Sequence, residues 1–142
     1  IAATPAELLA IDPGYVLFGV EESNTLTDAA PRTRATFTAS WDTTQWSLLG
    51  RVSRHGSAKR VFNFGGGYEP SQTYGDSWQL DLEAGFRVLD QVELFVGASN
   101  VLDAYPDRSN SEIYYFGNFP YDVLSPIGFN GRFVYGGIRA AF

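Results

Sequence analysis

Trp78-Gln79-Leu80-Asp81-Leu82-Glu83-Ala84-Gly85-Phe86-Arg87-Val88 is the stretch on which the fold turns. Trp78, Leu80, Leu82, Ala84, Phe86 and Val88 alternate with Gln79, Asp81, Glu83, Gly85 and Arg87. A strand sends successive side chains to opposite faces and so sorts these residues into one apolar and one ionic side, whereas a helix mixes them. The reading is a two-faced β-strand.

The same period continues outward. After a short connection at 89–91, a strand over 92–101 sets Val92, Leu94, Val96 and Ala98 against Glu93, Phe95, Gly97 and Ser99. Upstream, Ala35, Phe37, Ala39 and Trp41 alternate with Arg34, Thr36, Thr38 and Ser40, and a turn follows at 42–45. Trp46, Leu48, Gly50 and Val52 then alternate with Ser47, Leu49, Arg51 and Ser53. A last strand over 132–142 sets Val134, Gly136, Ile138, Ala140 and Phe142 against Phe133, Tyr135, Gly137, Arg139 and Ala141. The expected fold class is all-β, with about five antiparallel up-and-down strands.

Between the short turns lie three long segments, 1–32, 55–76 and 102–131, without clear periodicity. They hold all seven prolines, as expected where no ladder hydrogen bond is needed. Residues 5–10 are expected to form one helical turn, with Thr4 as its N-cap and Pro5 as its first residue.

Ten-residue strands with apolar and polar sides match tilted crossings of a bilayer, and short turns alternating with long loops match the two ends of an outer-membrane barrel. With residue 142 on the periplasmic side, both short turns are periplasmic and the three long segments extracellular. Trp41, Trp46, Phe86 and Phe142 fall near the short-turn end, and Trp78, Tyr74 and Tyr105 near the long-loop end, where interfacial rings belong. Asp81, Glu83, Arg87, Glu93 and Arg139 all fall on the inner, lumen-facing side. An Arg facing lipid at the midplane costs about 2–4 kcal/mol, so a one-residue slip of register is strongly penalised.

Composition bounds the chemistry. The chain has 142 residues, no Cys, a single His (His55) and a net charge of −6. A thiolate or multi-histidine metal centre is therefore not expected, nor a cofactor, nor a nucleic-acid partner. No apolar run approaches the length of a transmembrane helix. Carboxylates two apart, such as Asp81 and Glu83, also arise on a solvated strand face, and no nucleophile–base pattern stands out, so the chain is not expected to be an enzyme. Gly65-Gly66-Gly67 lacks the Lys-Ser/Thr of a phosphate loop and reads as a flexible loop. His55 is expected at the solvated outer rim, while Asn100 and Asp103 are expected to organise a strand exit.

Three motifs carry a resemblance. Residues 97–106, Gly-Ala-Ser-Asn-Val-Leu-Asp-Ala-Tyr-Pro, resemble the penultimate-strand motif of TonB-dependent outer-membrane receptors. Residues 131–142, Gly-Arg-Phe-Val-Tyr-Gly-Gly-Ile-Arg-Ala-Ala-Phe, look like that family's closing strand, and Pro31-Arg32-Thr33-Arg34 is similar to a strand-opening stretch. Departures are Val101-Leu102 where Leu-Phe is frequent, and the small pair Ala140 and Ala141.

The resemblance implies the C-terminal part of a barrel of about 22 strands in a Gram-negative outer membrane, importing a scarce nutrient such as a ferric siderophore. Its partners would be outer-membrane lipid, the rest of the barrel with an N-terminal plug, the TonB complex and a small-molecule ligand. Tyr135, Ile138 and Phe142 would carry the barrel-assembly signal. Tyr114, Tyr115, Phe116, Phe119 and Tyr121, an aromatic stretch in the last long segment, are the candidate ligand-stacking surface, set against simple self-packing of the loop. The competing expectations are a soluble β-sandwich that binds carbohydrate, and a small structural barrel, which needs at least eight strands.

Overall fold

The computed structural model describes residues 3–114 and 120–141. Its elements, in chain order, are α1 (Ala6–Ile11), α2 (Val20–Thr27), β1 (Arg34–Asp42), β2 (Trp46–His55), β3 (Ala58–Val61), β4 (Ser71–Tyr74), β5 (Ser77–Leu89), β6 (Val92–Ser99) and β7 (Phe133–Ala140). Five strands form one antiparallel sheet in the order β1-β2-β5-β6-β7, and β3 and β4 form a separate two-stranded ribbon. The all-β antiparallel expectation holds. The sheet is open, with β1 and β7 at its two edges.

Register turns the alternation of single strands into continuous rows. Ala39 pairs with Gly50, Gly50 with Leu82, Leu82 with Ala98 and Ala98 with Val134. One step along, Trp41, Leu48, Ala84, Val96 and Gly136 line up in the same way. Between these rows, on the other face, run Ser40, Leu49, Glu83, Gly97 and Tyr135. At the short-turn end the register slips between Arg87 and Leu89, a β-bulge of the kind that increases local twist.

Both short turns lie at one end of the sheet. Thr43 closes the first, its N–H donating to the Trp46 carbonyl at 2.8 Å while its hydroxyl accepts from Trp46 N at 2.9 Å. The long connections leave from the other end and contain more structure than their sequences suggest. The 55–76 segment holds the β3–β4 ribbon, whose four-residue strands (AKRV and SQTY) are too short and polar to show a period. Asn24 of α2 braces this ribbon, donating to Lys59 O at 2.9 Å and accepting from Val61 N at 2.8 Å.

The helical turn expected over 5–10 is α1, displaced by one residue. Thr4 is not its cap. Pro5 occupies the N-cap position without a side-chain bond, and the Thr4 hydroxyl accepts from Leu17 N at 3.2 Å instead. Tertiary pairing has won over local capping here. β6 stops at Ser99 rather than at 101, because Asn100 adopts φ 52°, which an extended strand cannot continue.

Ala29, Tyr74 and Ile113, all in the long connections, are buried. No large side chain of the sheet is fully buried among the described residues. The sheet has two open faces, and its apolar one is covered by nothing in the described chain.

Candidate functional site

Parity puts Asp81, Glu83, Arg87, Glu93 and Arg139 on one side, and register brings three of them together. Arg139 on β7 donates from Nη2 to Glu83 Oε1 on β5 at 2.6 Å, and its Nη1 lies 3.5 Å from Glu93 Oε2 on β6. The Tyr135 hydroxyl donates to Glu83 Oε2 at 3.0 Å, and the Ser47 hydroxyl to Glu93 Oε1 at 2.5 Å. The guanidinium carbon of Arg139 sits 4.0 Å from the centroid of the Phe95 ring, close enough for a cation–π contact. Four strands (β2, β5, β6 and β7) are thus tied across the ionic face.

Gly97 makes this possible. It pairs with Tyr135, and a Cβ there would run into the Tyr135 ring, so only glycine lets the ring lie flat across β6 and reach Glu83. Alternation alone does not single out Tyr135, Ser47 or Phe95 as members of the cluster. Parity put each on this face, but only register shows which residues touch.

The other two charges act locally. Arg87 donates from Nη1 to the carbonyls of Thr43 and Thr44 at 2.8 and 3.1 Å, tying β5 to the neighbouring short turn. Asp81 accepts from Gln79 Nε2 at 2.7 Å and from Asn100 N at 2.9 Å, which anchors the β6 exit. Asn100 is 3% exposed. Its side chain donates to Ala104 O at 2.7 Å and accepts from Ala104 N at 2.9 Å. Asp103, also at positive φ, accepts from Arg132 N at 2.8 Å. The two residues organise the exit and entry of the last connection, as expected of them.

At the long-loop end the connections knit into a cap. The Tyr74 hydroxyl and Ser109 Oγ are 2.7 Å apart. Burial pushes the Tyr74 phenol above its usual range, and the Ser109 bond opposes that shift in part. Gln72 donates to Arg108 O at 2.9 Å and accepts from Asn110 N at 2.7 Å, and Asp107 accepts from Gly75 N at 2.7 Å. Beneath them Arg60 and Asp122, 6% and 8% exposed, form an ion pair at 3.3 Å. The Arg60 Nε–H is not aimed at the carboxylate and makes no hydrogen bond, so charge rather than a directed bond holds the pair. No sequence pattern announces a pairing across this distance in the chain.

Of the candidate aromatic surface, Tyr114 and Tyr121 lie among the described residues. Tyr121 stacks on Tyr105, with centroids 5.8 Å apart, and Tyr114 is exposed. Tyr115, Phe116 and Phe119 lie outside the described residues, as does Phe142 of the assembly signal. Tyr135 of that signal turns to the ionic face, whereas Ile138 lies on the apolar face, level with Leu94.

His55 is not solvated. It is 7% exposed, set between Arg34 and Ser77 by the pairings of β2. Gly65, Gly66 and Gly67 have φ of 83°, 63° and 78°, a left-handed run that side-chain-bearing residues avoid. They form the tip of the loop between β3 and β4, where the Tyr68 N–H donates to Gly65 O at 3.0 Å.

Among the described residues no group of three or more His, Cys, Asp or Glu could hold a metal ion. No helix is long and apolar enough to cross a membrane, which has no bearing on strands. The chain matches no family model, no curated protein and no solved structure.

Proposed function

We propose that the chain is the C-terminal part of the β-barrel of a TonB-dependent outer-membrane receptor, and that the complete protein imports a scarce nutrient such as a ferric siderophore. The apolar face of the sheet is the observation that carries this reading. Its rows run in register over five strands, with Leu82 43%, Val134 62%, Val96 57% and Ile138 68% exposed. A contiguous apolar surface of this kind needs a cover.

Lipid fits that cover better than a second sheet. The face runs from Trp78 at one end of β5 to Phe86, packed on Trp46 at 4.7 Å, at the other. Those eight steps span about 27 Å along the strand. At a tilt of about 40° that is a little over 20 Å, close to the apolar band of an outer-membrane barrel. Aromatic rings stand at both ends, where headgroups would lie. A sandwich needs a second sheet of comparable width, and the β3–β4 ribbon has strands of only four residues.

The ionic face then lines the lumen, where the network of Glu83, Glu93 and Arg139 meets water and the plug. The free edges of β1 and β7 require neighbouring strands, because lipid cannot satisfy backbone N–H and C=O groups. The three long segments face outward from the cell, and the work is import rather than catalysis.

The test combines topology with transport. Single cysteines at 79 to 84, in a chain without any of its own, are probed in intact cells with a membrane-impermeant thiol reagent. Positions 79, 81 and 83 react, and positions 80, 82 and 84 react only after detergent. Deleting the protein abolishes growth on its siderophore, and so does deleting TonB. Uniform reactivity along β5 would rule out the lipid-facing assignment. Uptake that persists without TonB would rule out the receptor class.

A further inference from the structure

The apolar face ends in charge at its long-loop side. Parity places Arg54 on the same face as Val52 and Leu48, and its register partners are Ala35 and Trp78. Its guanidinium carbon lies 5.9 Å from the centroid of the Trp78 ring, and Asp76 pairs with it from beyond the strand. Going up the face, the order is aliphatic rows, then Phe37, Val52 and Leu80, then Arg54 beside Trp78.

Above Arg54 the surface opens into a hollow of about 390 Å³. The β3–β4 ribbon explains its character. Arg60, Gln72 and Tyr74 project from one side of the ribbon and are engaged with the 102–131 segment. Lys59 and its partner Thr73 project from the other side and line the hollow. Arg32, Arg54 and Lys59 contribute three cations against two carboxylates, Asp28 and Asp76, and Ser57, Thr33 and Thr73 add hydroxyl groups. Each carboxylate already has an arginine, Asp28 with Arg32 at 2.5 Å and Asp76 with Arg54. Lys59 is exposed and forms no ion pair with any described residue. In a chain of net charge −6, this is a local cationic surplus surrounded by hydroxyl donors.

We infer that this hollow, with the apolar face below it, binds a phosphate-bearing membrane lipid. The phosphate sits among Lys59, Arg32 and Arg54, and the acyl chains run down past Val52 and Leu80. Charge complementarity chooses the headgroup. Lys and Arg fit phosphate, Arg with forked donors that survive its pairing with Asp76. The chemical order fixes the direction, since only an amphiphile of this polarity matches hydrocarbon, then an indole with a guanidinium, then ammonium and hydroxyls. The inference rests on the proposed lipid-facing assignment and adds to it a preference for anionic phosphate lipid at one named place.

The experiment uses the complete protein in vesicles. A fluorophore is attached at Val52→Cys, directly below Arg54 on the apolar face. It is quenched by lipid carrying a nitroxide high on the acyl chain, either phosphatidylglycerol or phosphatidylcholine. The expected result is stronger quenching by the anionic lipid. Lys59→Gln should lower that preference by about fivefold, as expected of one basic residue near a charged lipid surface, and Lys59→Gln with Arg32→Gln by more. Lys59 is exposed and outside the ion pairs, so its variant folds as the wild type does. A second label at Leu48→Cys, four residues further along the same face and away from the hollow, shows no such preference. Equal quenching by both lipids at position 52 overturns the site while leaving the membrane assignment standing. A preference unchanged by both substitutions also overturns it. No quenching by either lipid overturns the site and the membrane assignment together.

Discussion

Arg139 Nη2 lies 2.6 Å from Glu83 Oε1 although 56 positions separate them in the chain. The bond skips a strand. β6 lies between β5 and β7, and the guanidinium crosses it over the Phe95 ring. Glu93, on the intervening strand, takes the other side of the same guanidinium at 3.5 Å. One cation therefore serves two carboxylates from two strands, and an aromatic ring lies beneath it. A network of this form sets the register of the last strand more effectively than a single pair, because a slip of β7 by one residue would break every contact together.

The strength of the pair is modest, since Arg139 stays half-exposed. A double-mutant cycle with Glu83→Gln and Arg139→Gln, followed by urea unfolding from vesicles, is expected to give a coupling of about 0.5–1 kcal/mol. Raising the salt to molar concentration should shrink that coupling, because screening acts on groups open to water. A coupling of several kcal/mol that ignores salt would mean that this face is shut away from water in the complete protein.

Leu48 and Leu49 are adjacent, of one residue type and both exposed, yet they face opposite ways. Leu48 lies in the row of Trp41, Ala84 and Val96, and Leu49 in the row of Ser40, Glu83 and Tyr135. Leu48→Arg should destabilise the protein by about 2–4 kcal/mol and reduce its amount in the outer membrane. Leu49→Arg, which puts a cation beside Glu83, should be nearly neutral. Quantifying each variant in membrane fractions is sufficient, and equal effects would contradict the division of faces.

Much of this was legible in the sequence, and the part that was not has a physical reason. Alternation over 78–88 and 92–99 reveals strands because one side of each must be apolar and the other need not be. It also yields the two faces, and thereby the side on which Glu83, Glu93 and Arg139 gather. It cannot show that Tyr135 reaches Glu83, which depends on register and on the absence of a side chain at Gly97. The β3–β4 ribbon is invisible for a different reason. Its strands are held by Asn24 and by the 102–131 segment rather than by an apolar face, so they leave no period. The burial of His55 follows from its neighbours in space, Arg34 and Ser77, neither of which is near it in sequence.

Tyr74 makes the cap sensitive to alkali. Burial raises its phenol above the ordinary value, so the folded cap favours the neutral form. The associated stability is fully present below the ordinary tyrosine value of about 10. It is lost as pH rises through the higher folded value. The cap should therefore become more susceptible to proteolysis between the β3–β4 ribbon and the 102–131 segment above about pH 10. Tyr74→Phe should remove most of that dependence. At neutral pH it should cost about 1 kcal/mol for the lost bond to Ser109. An alkaline transition of the same size in Tyr74→Phe would assign it to another group.

Asn100 tests the strand exit most directly, because one side chain has two tasks there. It tolerates φ 52°, and it satisfies both the N–H and the carbonyl of Ala104. Asn100→Ala removes both bonds, at about 1 kcal/mol each, and adds about 1 kcal/mol of left-handed strain. The expected loss is about 3 kcal/mol by urea unfolding. Asn100→Gly lacks the bonds but not the conformation. It should recover about 0.5–1 kcal/mol of that loss, its greater freedom in the unfolded chain offsetting part of the gain. The order wild type, Gly, Ala separates the bonding contribution from the backbone one. If Asn100→Ala were as stable as wild type, the β6 exit would be held by the Val101–Leu80 backbone bond at 2.7 Å and by its neighbours alone, and the close fit of this side chain would be incidental.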